Sequence, residues 1–265
     1  MKLYSAIDLH SNNSVLVVLD EKDKTVYERR LPNQLPMILA ELAPYKKRIQ
    51  AIAVESTYNW YWLVDGLMEA GYEIKLVNTA AVKVYEGLKY TGDEHDARHL
   101  AHLLRLGVLP TGHIHPKEER AVRDLLRKRG QLVRYRTMQI LSIQATVSRN
   151  VGHGLSTVEV RKLDDATIDR FCEGNVARAL AIKSNLVMLR CFDTQIAEVE
   201  ALALQKAKLK PEFKKLLTVD GIWEILGMTI MYEARGHGPL CESGTFRFVC
   251  PLRWQFPMEQ RQEEG

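Results

Sequence analysis

Hydrophobic positions open the chain in short, strand-like runs. Residues 3–9 (LYSAIDL) and 14–20 (SVLVVLD) are rich in β-branched and aliphatic side chains and predict two strands, joined by the polar turn His10-Ser11-Asn12-Asn13. Thr25–Leu31 predicts a third strand, closed by Pro32, so the start is a three-stranded meander. A helical pattern follows at 35–44. Ile49–Val54 is a continuous apolar run ending in Glu55, as expected of a strand buried on both faces. Tyr61–Ala70 predicts a helix stopped by Gly71, Tyr72–Asn78 a strand, and 79–88 another helix. Three antiparallel strands and then alternating helix and strand predict a mixed sheet with helices on both faces. Asp96–Leu106 predicts one more helix, with leucines at 100, 103, 104 and 106, ended by Gly107 and Pro110.

From Pro116 the period lengthens. Helical segments are predicted to about 150, around 166–183, and on to about 208. Apolar positions 182, 186, 189, 192, 196, 199 and 202 step by three or four. Such a stripe suits either a coiled coil or the core face of a helical bundle. Past about 234 neither period persists, and no internal repeat or low-complexity tract occurs anywhere.

Composition narrows the classes. At 46% hydrophobic residues the chain can bury a core. No run approaches the ~18–20 apolar residues of a membrane helix, so no membrane partner is expected. Met1-Lys2-Leu3-Tyr4-Ser5 lacks a signal stretch. Cys172, Cys191, Cys241 and Cys250 form no C-x-x-C pair, which argues against disulfide and zinc frameworks and for a reducing cytoplasm. Net charge is only +4, but Lys117 to Asn150 holds nine Lys/Arg against three acids. Arg120, Arg123, Arg127, Lys128, Arg129, Arg134 and Arg136 fall mostly on two adjoining helical faces and are expected to contact phosphate. A solvated helix face is the alternative.

Four carboxylates carry the candidate chemistry. Asp8 lies near the end of the first strand, where burial is costly without a partner or a metal. Glu55 ends another buried strand. Asp93 and Asp96, three apart at the start of a helix, can share one face, although the helix dipole alone also favours acids there. Together they are expected to converge on the carboxyl edge of one sheet, where open α/β folds place their sites. Oxygen ligands suit Mg²⁺ or Mn²⁺, and two such ions can activate a nucleophile and stabilise the leaving oxygen of a phosphodiester. His95, His99 and His102, on or beside that helix, take surface or supporting roles in this reading.

These residues resemble the IS110 insertion-sequence family, the DEDD transposases. The matching pieces are AIDLHSNNSVLVVLD around Asp8, VESTYNWYWLVDGLMEAGYEIKLVN from Glu55 onward, and TGDEHDARHLAHLL containing Asp93 and Asp96. RAVRDLLRKRGQLVRYRT is similar to the family's arginine-rich stretch, and LLTVDGIWEILGMTIM to the opening of its C-terminal transposase domain. The resemblance implies an α/β, ribonuclease-H-like (RuvC-like) mixed sheet with flanking helices over 1–112, followed by a mainly α-helical region. Residues 113–210 would be the basic helical or coiled-coil part and 211–233 the start of the C-terminal domain. DNA recombination is implied, guided by a structured RNA, with a serine nucleophile in the C-terminal domain. A homo-oligomer through the helical region is expected.

Two departures stand out. Asp220-Gly221-Ile222-Trp223 replaces the family's Pro-Gly-hydrophobic-Gly, and the family pattern stops after Glu233. Ser243, in the unmatched tail 234–265, is therefore not assigned as the nucleophile. A truncated or frame-disrupted transposase, inactive by itself, is expected. The alternatives are an active transposase, a nucleic-acid-binding remnant, and a stand-alone RuvC-like nuclease. An actin-like or sugar-kinase ATPase is set aside, because His10-Ser11-Asn12-Asn13 has no glycine for a phosphate loop.

Overall fold

The computed structural model describes residues 1–82 and 93–233, with 93–95 as backbone alone. The predicted helix beyond Val82, the side chain of Asp93, Ser243 and the frame-shifted reading of 234–265 all lie outside the described residues. A boundary between Ile114 and His115 divides the chain into two compact units.

The first unit is built on five strands, β1 (Leu3–Leu9), β2 (Asn13–Asp20), β3 (Thr25–Pro32), β4 (Ile49–Glu55) and β5 (Ile74–Val77), in the order β3-β2-β1-β4-β5. The meander β1–β2–β3 is antiparallel, whereas β4 runs parallel to β1 and β5 parallel to β4. Its helices are α1 (Leu35–Leu42), α2 (Tyr61–Glu69), α3 (Thr79–Val82) and α4 (Asp93–Leu106). This is the expected ribonuclease-H-like α/β arrangement. Ile7 and Leu9 of β1 and Ile52 and Val54 of β4 face one core with Leu63, Val64 and Leu67 of α2. Ala6, Val17 and Ala53 face the other, beneath Ala97, Leu100 and Ala101 of α4. Small side chains at 97 and 101 let α4 lie close on the sheet. Edge strand β3 exposes Glu28, Arg29 and Arg30, charges that discourage pairing with a foreign strand. At the opposite edge the bridge Val77–Thr111 and the bond from the Gly112 N–H to the Leu76 carbonyl, 2.7 Å, cover β5.

The second unit is helical: α5 (Lys117–Val151), α6 (Thr157–Arg161), α7 (Asp165–Cys172), α8 (Val176–Ala207), α9 (Pro211–Leu216) and α10 (Glu224–Glu233). Cross-links Ser142–Asn185, Arg136–Asp193 and Arg129–Glu200 step in opposite directions along α5 and α8, so these two helices are antiparallel. One end of the pair buries Ile143, Val147, Val160, Ile168, Ile182 and Leu186. The other buries Val122, Leu126, Ala203, Phe213, Met228 and Tyr232.

Two expectations need adjustment. The helix predicted over 166–183 is two helices. Glu173 (φ 49°) and Gly174 (φ 78°) turn left-handed after α7, and the Asn175 side chain then accepts the Arg178 N–H at 3.0 Å to start α8. The 182–202 stripe is a core face packed on α5 of the same chain, and it drifts. Ile182, Leu186, Leu189 and Ile196 are buried, but Leu202 is 45% exposed and Ala203 (0%) takes its place. A 3.6-residue helix cannot keep a 3.5-residue stripe on one line. Among the described residues no helix is long and apolar enough to cross a membrane.

Candidate active site and nucleic-acid interface

Strand register sets the acids. Ile7 pairs with Val54, so the next residues, Asp8, one short of the end of β1, and Glu55, the last of β4, lie side by side on neighbouring parallel strands. Side chains alternate along a strand, which puts Asp8 on the face of Ala6 and Glu55 on the face of Ala53, under α4. From α4, Asp96 and His99 line one cleft with Glu55, Val77, Thr79, Val82 and Leu100. Glu55 and Asp96 are thus brought together, with Asp8 beside them on the adjacent strand end. Among the described residues no group of three or more His, Cys, Asp or Glu side chains is gathered closely enough to hold a metal ion. The carboxylate oxygens at this edge are nonetheless the donor type that hard divalent cations take.

Asp8 is only 3% exposed, and Nε2 of His10 stands 3.4 Å from its Oδ2. The turn carrying His10 is held firmly. Its carbonyl accepts Nδ2–H of Asn33 at 2.9 Å and of Asn59 at 3.0 Å. Asn33 in turn accepts the Ser14 hydroxyl at 2.5 Å, and Asn59 accepts the Thr57 hydroxyl at 2.9 Å. The sequence reading missed His10, two residues from Asp8, and the Asn33 and Asn59 amides that reach its carbonyl from 23 and 49 residues away. His99 carried a signal, its i, i+3 spacing from Asp96, but was given only a supporting role. At the far end of α4, Asp23 of the β2–β3 turn takes His102 Nδ1 at 2.8 Å and Arg105 Nε at 3.1 Å. Burial pushes the Asp23 carboxyl up, but the His102 hydrogen bond and the His102 and Arg105 charges hold it below the usual carboxylate range.

Most of the candidate phosphate-binding cations of α5 meet carboxylates of their own unit. Arg123 and Arg127 both reach Glu233, with Arg123 Nε at 3.0 Å and Arg127 Nε at 2.8 Å. Arg129 pairs with Glu200 at 2.7 Å, and Arg136 with Asp193 at 3.0 Å, which Arg161 shares. Arg120 is buried, its Nε donating to the His115 carbonyl at 2.8 Å. Lys128 is exposed beside Gln131, and Arg134 is exposed. Burial raises the Glu233 carboxyl, yet Arg127 and Arg123 bring it below its ordinary value.

The family model described as transposase, of the IS110 DEDD type, matches residues 6–150. No curated protein matches the chain.

Proposed function

This chain belongs to the IS110 family of DEDD transposases, and on that premise we propose that it works on DNA through a divalent-metal centre held by Asp8, Glu55, Asp93 and Asp96. The supporting observation is the register that aligns Asp8, near the end of β1, with Glu55, at the end of β4, on the face where α4 sets Asp96. Bound Mg²⁺ or Mn²⁺ would supply Lewis-acid stabilisation of charge at the phosphodiester. The protein's own contribution is positional. Asn33 and Asn59 fix the His10 turn, and His10 limits how the Asp8 carboxylate can rotate.

Residues 113–210 are proposed as the region that meets a structured guide RNA and joins copies of the chain, and 211–233 as the opening of the C-terminal transposase domain. Lys128 and Arg134 are exposed candidates for phosphate contact that lie outside the ion pairs above, whereas the exposed Arg127 is drawn to Glu233. The test uses the full chain with donor DNA, guide RNA and Mg²⁺ or Mn²⁺, alongside calorimetric Mn²⁺ titration without nucleic acid. Asp8→Asn is expected to lower metal-dependent DNA processing by at least about 100-fold and to weaken Mn²⁺ binding. Unchanged processing and unchanged Mn²⁺ binding would sink the proposed centre.

A further inference from the structure

Tyr58 is the most exposed large apolar side chain among the described residues, at 83%. It sits three residues past Glu55, in the loop that leaves the carboxyl end of β4. Its neighbours are tied down. The Thr57 N–H donates to the Glu55 carbonyl at 2.9 Å, and the Thr57 hydroxyl to Asn59. The Asn59 amide reaches across to the carbonyl of His10, whose ring faces Asp8. Trp60 then turns inward and packs edge-on against Tyr61, ring centroids 4.6 Å apart. An anchored loop that buries Trp60 and sends Tyr58, two residues earlier, into water, beside two buried-strand acids, spends apolar surface where the fold gains nothing from it.

We propose that Tyr58 is a stacking platform for an unpaired nucleobase next to the carboxylate edge. The inference rests on the reading of that edge as a site for nucleic-acid work and adds how the substrate is gripped there. The proposed metal centre would take the phosphate at this edge, so a base beside it needs a separate grip, from a group indifferent to backbone charge. An aromatic face is such a group, and it accepts any base because every base presents a π-face. Three residues of chain span at most about 11 Å, so Tyr58 lies within about three nucleotides of a phosphate met at Glu55, at ~3.4 Å per nucleotide of a strand. A base in an intact duplex is already stacked. The ligand is therefore an unpaired base, in either a displaced DNA strand or an RNA loop.

The test is titration of the full chain into short oligonucleotides bearing 2-aminopurine, whose fluorescence falls on stacking. Three arms are used: single-stranded DNA, single-stranded RNA, and duplex DNA. Tyr58→Ala is expected to weaken single-strand binding about tenfold and to abolish the quenching, with duplex affinity unchanged. Tyr58→Phe is expected to keep both, because the ring and not the hydroxyl does the stacking. The arm that loses more shows whether the base comes from DNA or RNA. Single-strand binding and quenching that survive Tyr58→Ala, in a wild-type background that binds nucleic acid, overturn this proposal alone. A wild-type chain that binds none of the three arms overturns the underlying reading and this proposal with it. Circular dichroism of each variant checks the fold, which an 83%-exposed side chain should not disturb.

Discussion

Asp8 and Glu233 are both carboxylates kept largely from water, with side chains 4% and 17% exposed, and they are partnered in opposite ways. Asp8 ends a core strand beside an imidazole at 3.4 Å. Glu233 ends α10 between two guanidiniums, taking hydrogen bonds of 2.8 to 3.2 Å from Arg123 and Arg127. Its work is to fasten α10 against α5. The same contrast runs through the two units. Carboxylates of the helical unit pair with its arginines at 2.7 to 3.1 Å, and in the sheet unit Glu41 and Asp23 do the same with Arg29 and Arg105, whereas Asp8 and Glu55 are carried to one edge by strand register. Burial of an acid therefore does not separate a structural role from a chemical one. The identity and distance of its partners does.

The largest expected effect sharpens that contrast. Glu233→Ala removes the carboxylate that Arg123, whose side chain is 12% exposed, shares with Arg127. It should destabilise the protein by about 2 kcal/mol, within the cost of a lost charged hydrogen bond and below that of breaking a fully buried pair. Asp8→Asn keeps the shape and removes a buried charge, so its melting temperature should match or exceed the wild type's. If both variants lose equal stability in thermal denaturation, the distinction fails. Acid should act in the same sense on the first site. The Glu233 pKa is lower folded than unfolded, so its contribution is complete above the unfolded value of about 4.3. It disappears as pH falls through the folded value. The stability difference between wild type and Glu233→Ala should accordingly close as the pH is lowered.

A second comparison lies within α5. Lys128 and Arg134 are exposed, while Arg129 and Arg136 pair with Glu200 and Asp193. If free cations grip phosphate, Lys128→Ala and Arg134→Ala should each reduce the slope of log affinity against log salt by about 1. Arg129→Ala and Arg136→Ala should change that slope less and melting temperature more. Equal slopes for all four, measured by fluorescence anisotropy at several salt concentrations, would remove the distinction between paired and unpaired cations.

How much of this was legible in the chain depended on how far apart the partners lie. Local period was enough for β1, β2 and β3, since runs such as SVLVVLD state their strand directly. The apolar run before Glu55 marked β4 as buried on both faces, and it is. Asp8 and Glu55 could be placed at one edge because parallel neighbours align their ends. The break at Glu173-Gly174-Asn175 was missed although Gly174 and Asn175 are ordinary cap formers, because the flanking apolar period continues across it. The pairing of Arg123 with Glu233 spans 110 residues, and no local pattern encodes it. A count of nine cations in α5 could not reveal which acids would fold back onto them. The Asn33 and Asn59 clamps on His10 escaped for the same reason: an amide in a loop signals only a turn until its partner is known.

The smallest expected effect tests whether partner geometry alone explains the contrast, or whether water also decides. Asp23 is held by His102 and Arg105 much as Glu233 is held by two arginines. Its side chain, however, is 33% exposed, and it sits in a tight turn at φ 66°, where Asn is more comfortable than most residues. Asp20 builds that turn by accepting the N–H groups of Lys22 and Lys24 at 2.8 and 3.0 Å, so the turn survives without the Asp23 charge. Asp23→Asn should therefore cost only about 0.5 kcal/mol near neutral pH, the pair being screened by solvent. The Asp23 pKa is depressed in the folded state, so its contribution is present above the unfolded value of about 3.9. It fades as pH drops through the folded one. A double-mutant cycle with Arg105→Ala, read by urea denaturation, should give a coupling well below that between Glu233 and Arg123. Couplings of equal size would mean that exposure has no say and that the two acids are held by geometry alone.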